Sequence, residues 1–110
     1  MDQYALIGKS LGYSFSKAFF EDYFAINQVD AHYSNLELAS IDEIQPILSA
    51  KSYTGFNVTI PYKESIIPYL DELDQTAKAI GAVNVVALRN GEWIGFNSDA
   101  FGFHQSIKPF

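Results

Sequence analysis

VNVVALRNGEWIGFN, the stretch from Val83 to Asn97, contains two alternating apolar runs separated by Asn90-Gly91. Asn followed by Gly supplies both positive-φ positions of a type I′ turn, the tight turn whose twist matches two antiparallel strands. The pattern therefore predicts a β-hairpin with strands at 83–89 and 92–97. A hairpin at this place in the chain requires a sheet for it to join, and the upstream sequence supplies that sheet.

Strand-like and helix-like segments alternate three times before the hairpin. The three short apolar or β-branched runs are Tyr4–Ile7, His32–Leu38 and Gly55–Ile60, the last ended by Pro61. The helical patterns are Lys17–Asn27, Ser40–Lys51 and Asp71–Ile80, and a last helix is expected at Ala100–Ile107. We predict a three-layer α/β domain: a mixed, mostly parallel twisted sheet with one antiparallel pair at the C-terminal hairpin, and helices on both faces.

Two of these helices carry specific expectations. Ser40 and Glu43 form a capping-box pattern, but Pro46 would fall beyond the positions where a missing N–H costs nothing. That helix is therefore expected to start late or to begin as a tighter turn. In the first helix the aromatic residues Phe19, Phe20, Tyr23 and Phe24 recur at helical spacing and are expected to pack in the core.

Composition excludes several classes of protein. The 110 residues contain no cysteine, which excludes a disulfide scaffold and a thiolate metal site. The net charge is −6, so the basic face that a nucleic-acid binder needs is not expected. His32 and His104 have no ligand spacing, and no metal is expected. One domain over residues 1–110 is predicted, with no membrane partner and a cytoplasmic location, because no run resembles a signal or a span.

Polar side chains follow the predicted strands at the edge where ligands of open α/β sheets collect. Ser14 and Ser16 follow the first strand and can cap a helix or, together with the helix N-terminus, hold a carboxylate. Lys63 follows the third strand, and it is either a surface lysine or an acid–base group.

The last strand and the start of the hairpin supply further candidates. Asp99 follows the last strand and is either a helix N-cap or a functional carboxylate. Asn84, inside the apolar hairpin strand, needs a partner for its amide, from a neighbouring loop or from a ligand. Gly8 and Gly12 are too few and too far apart for a dinucleotide-binding loop.

Four blocks resemble the motifs of one enzyme family. GFNVTIPYK at 55–63 is similar to the G-x-N-V-T-x-P-x-K block of shikimate dehydrogenases, and GAVN at 81–84 to their G-A-V-N-T block. GFNSD at 95–99 resembles their G-x-N-T-D block, and SFS at 14–16 their S-x-S motif. The blocks occur in the family's order and span nearly the whole chain.

The resemblance implies the substrate-binding domain of an enzyme that reversibly reduces 3-dehydroshikimate to shikimate with NADPH. It implies a catalytic pair, Lys63 and Asp99. It also implies substrate contacts from Ser14, Ser16, Asn57, Thr59 and Asn84, in addition to that pair. NADP is bound mainly by a second, Rossmann-type domain in this family. That domain is absent from this chain, so we expect a fragment that is inactive on its own.

The sequence departs from the family pattern at several places and leaves alternatives open. Tyr13 and Lys17 replace a histidine and a proline that often flank the S-x-S motif, and Val85 and Ser98 stand where threonine is usual. A quinate or quinate/shikimate dehydrogenase, and a non-catalytic binding module of the same fold, are the alternatives. The expected partner is a small-molecule substrate, and a homodimer is possible.

Overall fold

The computed structural model describes residues 2–9 and 15–98, with the side chains of residues 15–17 outside the description. The six strands are β1 (Asp2–Gly8), β2 (Ala31–Glu37), β3 (Gly55–Val58), β4 (Glu72–Leu73), β5 (Val85–Arg89) and β6 (Glu92–Phe96). The α-helices are α1 (Phe15–Ile26), α2 (Ile44–Ala50) and α3 (Gln75–Ile80), with 3₁₀ turns at Ile41–Glu43 and Ile67–Tyr69. The predicted helix at Ala100–Ile107 lies outside the described residues.

The strands form one sheet in the order β2-β1-β3-β5-β6-β4. β1 pairs in parallel with β2 and β3, and β4 pairs in parallel with β6. β5 runs antiparallel to both β3 and β6. The predicted mixed, mostly parallel sheet with a C-terminal hairpin is confirmed, but the expectation of one antiparallel pair was wrong. The hairpin inserts its first strand beside β3, so it creates a second antiparallel pairing.

The two faces of the sheet carry different layers. Because side chains alternate along a strand, Ala5 and Ile7 lie on one face and Tyr4 and Leu6 on the other. Ala5 and Ile7 join α2 and α3 in the main core, whose fully or nearly buried members are Ala5, Ile7, Leu38, Ile44, Leu48, Phe56, Val58, Tyr62, Ile66, Ala77, Val83, Val86 and Trp93. On the opposite face Tyr4 contacts Phe24 of α1, with ring centroids 6.1 Å apart. Helices therefore cover both faces, as predicted.

Trp93 closes the main core near the hairpin. Its side chain is 3% exposed, and its indole Nε1 donates to the Leu48 carbonyl at 2.9 Å. Phe56 lies against it, with ring centroids 5.3 Å apart. These contacts join the hairpin to α2 and to β3, so β3 is packed against Trp93 on the main-core face of the sheet.

The second helix begins as the sequence predicts. Ile41–Glu43 forms a 3₁₀ turn, and the Ser40 N–H donates to the Glu43 carboxylate at 2.8 Å. The α-helix proper starts only at Ile44, so Pro46 falls in its first turn. The N–H groups of that turn have no partner within the helix, and the proline therefore removes no hydrogen bond.

The third helix is shorter than predicted. Asp74 caps it by accepting from the Ala77 N–H at 2.8 Å, and the helix runs only from Gln75 to Ile80. The residues before the cap, Glu72 and Leu73, pair instead with β6 as a two-residue strand. A partner strand 20 residues or so away in sequence is not visible in a local pattern, which explains the difference.

Helix α1 buries only one side of its aromatic stripe. Phe20 and Phe24 face the sheet, while Phe19 is 53% and Tyr23 49% exposed. The expectation that all four pack in the core was therefore wrong, because Phe19 and Tyr23 are turned about 100° from their neighbours.

Beside α1, over β3 and β5, lies an apolar groove of about 480 Å³. None of the helices that the structure describes is long and apolar enough to cross a membrane.

Candidate functional site

The carboxyl ends of β1, β2, β3 and β6 lie at one edge of the sheet, since β6 runs antiparallel to β5 and β5 antiparallel to β3. The start of β5 lies at the same edge. Thr59 follows β3 there, and its N–H donates to the Ile7 carbonyl at 2.9 Å. The ladder with β1 thus continues one residue past the strand and fixes the backbone of Thr59.

Lys63 stands on a short turn held from three sides. The N–H of Tyr62 donates to the Thr59 carbonyl at 3.0 Å, and the carbonyl of Lys63 accepts from the Val83 N–H at 2.7 Å. The buried ring of Tyr62 anchors the turn, and its hydroxyl donates to the Leu38 carbonyl. Burial raises the pKa of the Tyr62 hydroxyl, which keeps it neutral as a hydrogen-bond donor. The backbone of the lysine is therefore fixed, and its side chain is half-buried.

Asn84 connects the segments that meet at this edge. Its N–H donates to the Phe96 carbonyl at 3.0 Å, and its own carbonyl accepts from the Val58 N–H at 2.8 Å. Its side-chain Oδ1 accepts from the Ser98 N–H at 2.8 Å. Of the two partners that the sequence left open for this amide, a neighbouring loop or a ligand, Oδ1 has the first: it anchors the segment after β6. Asn84 is only 9% exposed, so its amide needs a partner, and this bond offsets the cost of burying it.

Asn97 supports the same junction from the other side. Its side chain is 6% exposed, and Nδ2 donates to the Ala82 carbonyl at 3.0 Å. Gly95, two residues earlier, is required by packing, since a Cβ there would lie 2.8 Å from Val83 Cγ2. The G-x-N part of the third motif therefore has a structural role, bringing β6 close to the segment before β5.

Asn57 lies in β3, two residues before Thr59, on the face of the sheet that α1 covers. It pairs with Leu6 of β1, and its Nδ2 donates to the Tyr33 hydroxyl of β2 at 2.8 Å. The carboxamide is half-buried. The substrate-binding role that the resemblance implies for Asn57 therefore involves an amide whose donor end already has a partner.

The other predicted site residues lie partly or wholly outside the described residues. For Ser14 and Asp99 this holds for the whole residue, and for Ser16 it holds for the side chain. The described neighbours still constrain the site: α1 starts at Phe15, and Ser98 is bound to Asn84 while Lys63 is bound to Val83. Two successive residues thus hold both the lysine and the residue that precedes Asp99.

Two residues of β2 were not found by sequence reasoning. Tyr33 is 2% exposed and contacts Asn57, and Asn35 Oδ1 is a buried acceptor without a hydrogen-bond partner among the described residues. Both lie in an ordinary alternating strand, and no local signal separates them from other strand residues. Their proximity to the motif strand appears only when β1 pairs with β2 and β3.

The described residues do not supply a site for a metal or a dinucleotide. Within residues 2–9 and 15–98 there is no group of three His, Asp or Glu side chains that could hold a metal ion. Helices α2 and α3, in the same part of the chain, are preceded by the N-cap residues Glu43 and Asp74 rather than by a glycine-rich turn that could take a pyrophosphate. What the edge does offer is three residues with anchored backbones, Thr59, Lys63 and Asn84, which carry a hydroxyl, an amine and an amide. Such groups suit a small polar molecule.

Comparison with known proteins identifies the family. A family model described as the shikimate dehydrogenase substrate binding domain matches residues 6–86. Shikimate dehydrogenase (NADP(+)) from Staphylococcus epidermidis is 40% identical over 108 residues, which cover 96% of this chain and 40% of that protein. The chain thus spans about 40% of the length of the curated relatives it matches.

Solved structures show the same fold. Shikimate dehydrogenase 1 from Peptoclostridium difficile superposes with a TM-score of 0.87 at 35% identity, over 98% of this chain and 41% of that one. Shikimate 5-dehydrogenase from Listeria monocytogenes, solved in complex with shikimate and NAD, gives 0.86 at 29% identity, over 98% and 38%. The chain belongs to the shikimate dehydrogenase substrate-binding domain family.

Proposed function

We propose that this chain is the substrate-binding domain of an NADP-dependent shikimate dehydrogenase, which reversibly reduces 3-dehydroshikimate to shikimate in the route to chorismate and aromatic amino acids. The observation that carries the proposal is the position of Asn84. Its three hydrogen bonds, with the adjacent bond from Val83, bring the ends of β3 and β6 and the Lys63 turn to one edge. The three longest motif blocks therefore converge on one place, as residues of a single site must.

The substrate is a ring that carries one carboxylate and several hydroxyl groups. We assign its carboxylate to Ser14 and Ser16 at the start of α1, where hydroxyls and free N–H groups favour an anion. The ring hydroxyls go to Thr59, Asn84 and Asp99, with Asn57 as a further contact. This division is supported by the order of the elements: α1 packs on β1 and β2, whereas Thr59 and Asn84 lie at the end of β3.

Lys63 and Asp99 are proposed as the catalytic pair. When a hydride adds to the carbonyl carbon of the substrate, the carbonyl electron pair moves to oxygen, and Lys63 Nζ delivers the proton that makes the alcohol. In the reverse direction the amine takes this proton back. A carboxylate at Asp99 would hold the ammonium in position and accept from a neighbouring hydroxyl, because a buried unpaired charge is costly.

NADP is the hydride carrier named for the curated relatives. The described residues lack a glycine-rich turn for its phosphates, so we place most of its binding site in a Rossmann-type domain of the full-length protein. The chain alone is then expected to bind substrate weakly and not to turn it over. This assignment is supported by the 40% share of the relatives that the chain covers.

The acid–base role is tested in the full-length protein with Lys63→Gln. We expect kcat to fall about 10²- to 10⁴-fold, the usual size of a general acid–base contribution, while KM changes only a few-fold. Lys78→Gln is the matched control, because Lys78 is an exposed lysine in the last turn of α3. Normal turnover in Lys63→Gln would refute the catalytic role and favour a non-catalytic binding module.

Substrate class is tested on the chain itself by NMR titration. Shikimate should shift the backbone amides near Ser14, Thr59 and Asn84, and quinate should shift them less. If quinate shifts these amides and shikimate does not, the protein is a quinate dehydrogenase domain instead. If neither ligand changes the chemical shifts of these amides, a site at this edge is contradicted.

We further propose a cytoplasmic protein whose partner is a small molecule, without nucleic-acid or membrane partners, and which forms a homodimer. The net charge of −6 supports the exclusion of nucleic acid. Phe19, Tyr23 and Ile26 on α1 are 49–80% exposed and offer apolar surface for self-association. Light scattering of the full-length protein tests the dimer, and a monomer at all concentrations contradicts it.

A further inference from the structure

A polar bridge crosses the α1 face of the sheet just below the candidate site. Asn57 of β3 and Tyr33 of β2 are separated by β1, where their register partners are Leu6 and Tyr4. The bond from Asn57 Nδ2 to Tyr33 Oη, 2.8 Å long, therefore runs diagonally over β1 and connects two strands that share no backbone hydrogen bonds.

The tyrosine end of this bridge is held firmly. Tyr33 is 2% exposed, and the ring of Phe20 stacks on it with centroids 4.9 Å apart and planes inclined by 19°. Helix α1 thus clamps the ring against the sheet. A phenylalanine would keep the stack, so the hydroxyl contributes the bond to Asn57 and little else. Burial also raises the pKa of Tyr33, so the hydroxyl stays neutral across the working range of an enzyme.

The asparagine end has one occupied and one unoccupied group. Nδ2 donates to Tyr33, whereas none of the described residues donates to Asn57 Oδ1. Asn57 and Thr59 are two residues apart on one extended segment, so their side chains project to the same face. An amide whose donor end is held in this way presents its carbonyl oxygen as an acceptor beside the Thr59 hydroxyl.

We propose that Tyr33 is a positioning residue, which orients the Asn57 carboxamide so that Oδ1 accepts a hydrogen bond from a hydroxyl group of the substrate. The inference rests on the proposed function, since it assigns Asn57 to that substrate. It adds a residue that none of the family blocks in the sequence contains. Without the Tyr33 hydroxyl the carboxamide can rotate about its last torsion, whose energy profile is broad, and part of the binding energy is spent on ordering it.

The test is a double-mutant cycle in the full-length protein, with KM for shikimate and kcat measured for each variant. We expect Tyr33→Phe to raise KM about three- to tenfold with less than a twofold change in kcat, and Asn57→Ala to raise KM by tenfold or more. The double variant should match Asn57→Ala alone, because Tyr33 acts through Asn57. Tyr53→Phe, a tyrosine packed on Phe56 in the main core, is the matched control and should leave KM unchanged.

Each result decides between the alternatives. An unchanged KM in Tyr33→Phe, or a double variant in which the two effects multiply, overturns the positioning role while normal turnover of the unmodified protein keeps the proposed function. An unmodified protein that neither binds nor turns over shikimate overturns both. If Asn57→Ala unfolds, the side-chain NH₂ signals of Asn57 in the Tyr33→Phe variant are the second readout. In the unliganded protein the chemical shifts of the two NH₂ protons should converge and their lines should sharpen. Signals identical to those of the unmodified protein contradict the proposal.

Discussion

Replacing Asn84 by alanine tests the junction on which the site depends. The substitution keeps both backbone bonds, to Phe96 and from Val58, and removes only the acceptor of the Ser98 N–H. One hydrogen bond contributes about 0.5–1.5 kcal/mol, and the nearly buried amide leaves a small cavity, so we expect a loss of about 1–2 kcal/mol in the free energy of unfolding. Ser98 is exposed, and water that reaches its N–H keeps the loss within this range.

The assay is urea unfolding of the 110-residue chain, followed by the fluorescence of its single tryptophan, Trp93, which is 3% exposed. In thermal unfolding followed by the same fluorescence, the melting temperature should fall by roughly 4–8 °C for each kcal/mol lost. Asn27→Ala is the matched control: this asparagine is exposed, and its Nδ2 donates to the Tyr23 carbonyl at 2.9 Å.

The control should change the free energy of unfolding by less than about 0.5 kcal/mol. The reasoning is refuted if Asn84→Ala is equally silent, because the bond to Ser98 would then contribute nothing to holding the segment after β6. A silent Asn84→Ala would leave the two backbone bonds of this residue, to Phe96 and from Val58, as what holds the ends of β3 and β6 together.

Two further predictions concern packing and pH. Gly95→Ala should cost about 1–3 kcal/mol in urea unfolding, because its Cβ would lie 2.7–2.9 Å from side-chain atoms of Leu70, Val83 and Leu73, and an unchanged midpoint would contradict this contact. Burial raises the pKa of Tyr33 above its usual 10, so the unfolded chain loses this proton first and the free energy of unfolding should fall as pH rises above 10. In Tyr33→Phe part of that slope should disappear, and a slope identical to that of the unmodified chain would show that Tyr33 does not contribute to it.

The hairpin and the second helix show what could be read locally. Asn90 and Gly91 take φ values of 53° and 79°, as a type I′ turn requires, and the strands begin and end within two residues of their predicted bounds. Ser40, Glu43 and Pro46 together predicted a tight turn before α2. In each case the determining interaction joins residues at most four apart, so a short window of sequence contains it.

Other features depended on strand order. The position of β5 between β3 and β6, and the pairing of Glu72 and Leu73 with β6, require contacts between distant segments. The exposure of Phe19 and Tyr23 has the same origin, since helical spacing places apolar residues near one face but the rotation of the helix is set by what it packs against.

The motif residues were identified without any structure, because the family's blocks are contiguous and each is short enough to recognise. Their roles at the junction were not. Asn84 and Ser98 are fourteen residues apart, and Tyr33 and Asn57 twenty-four, so their bonds form only after β1 has aligned β2 with β3 and the hairpin has closed beside them. A hydrogen bond is made only within about 3 Å, and for residues so far apart in the chain the folded sheet is what brings the atoms within that distance.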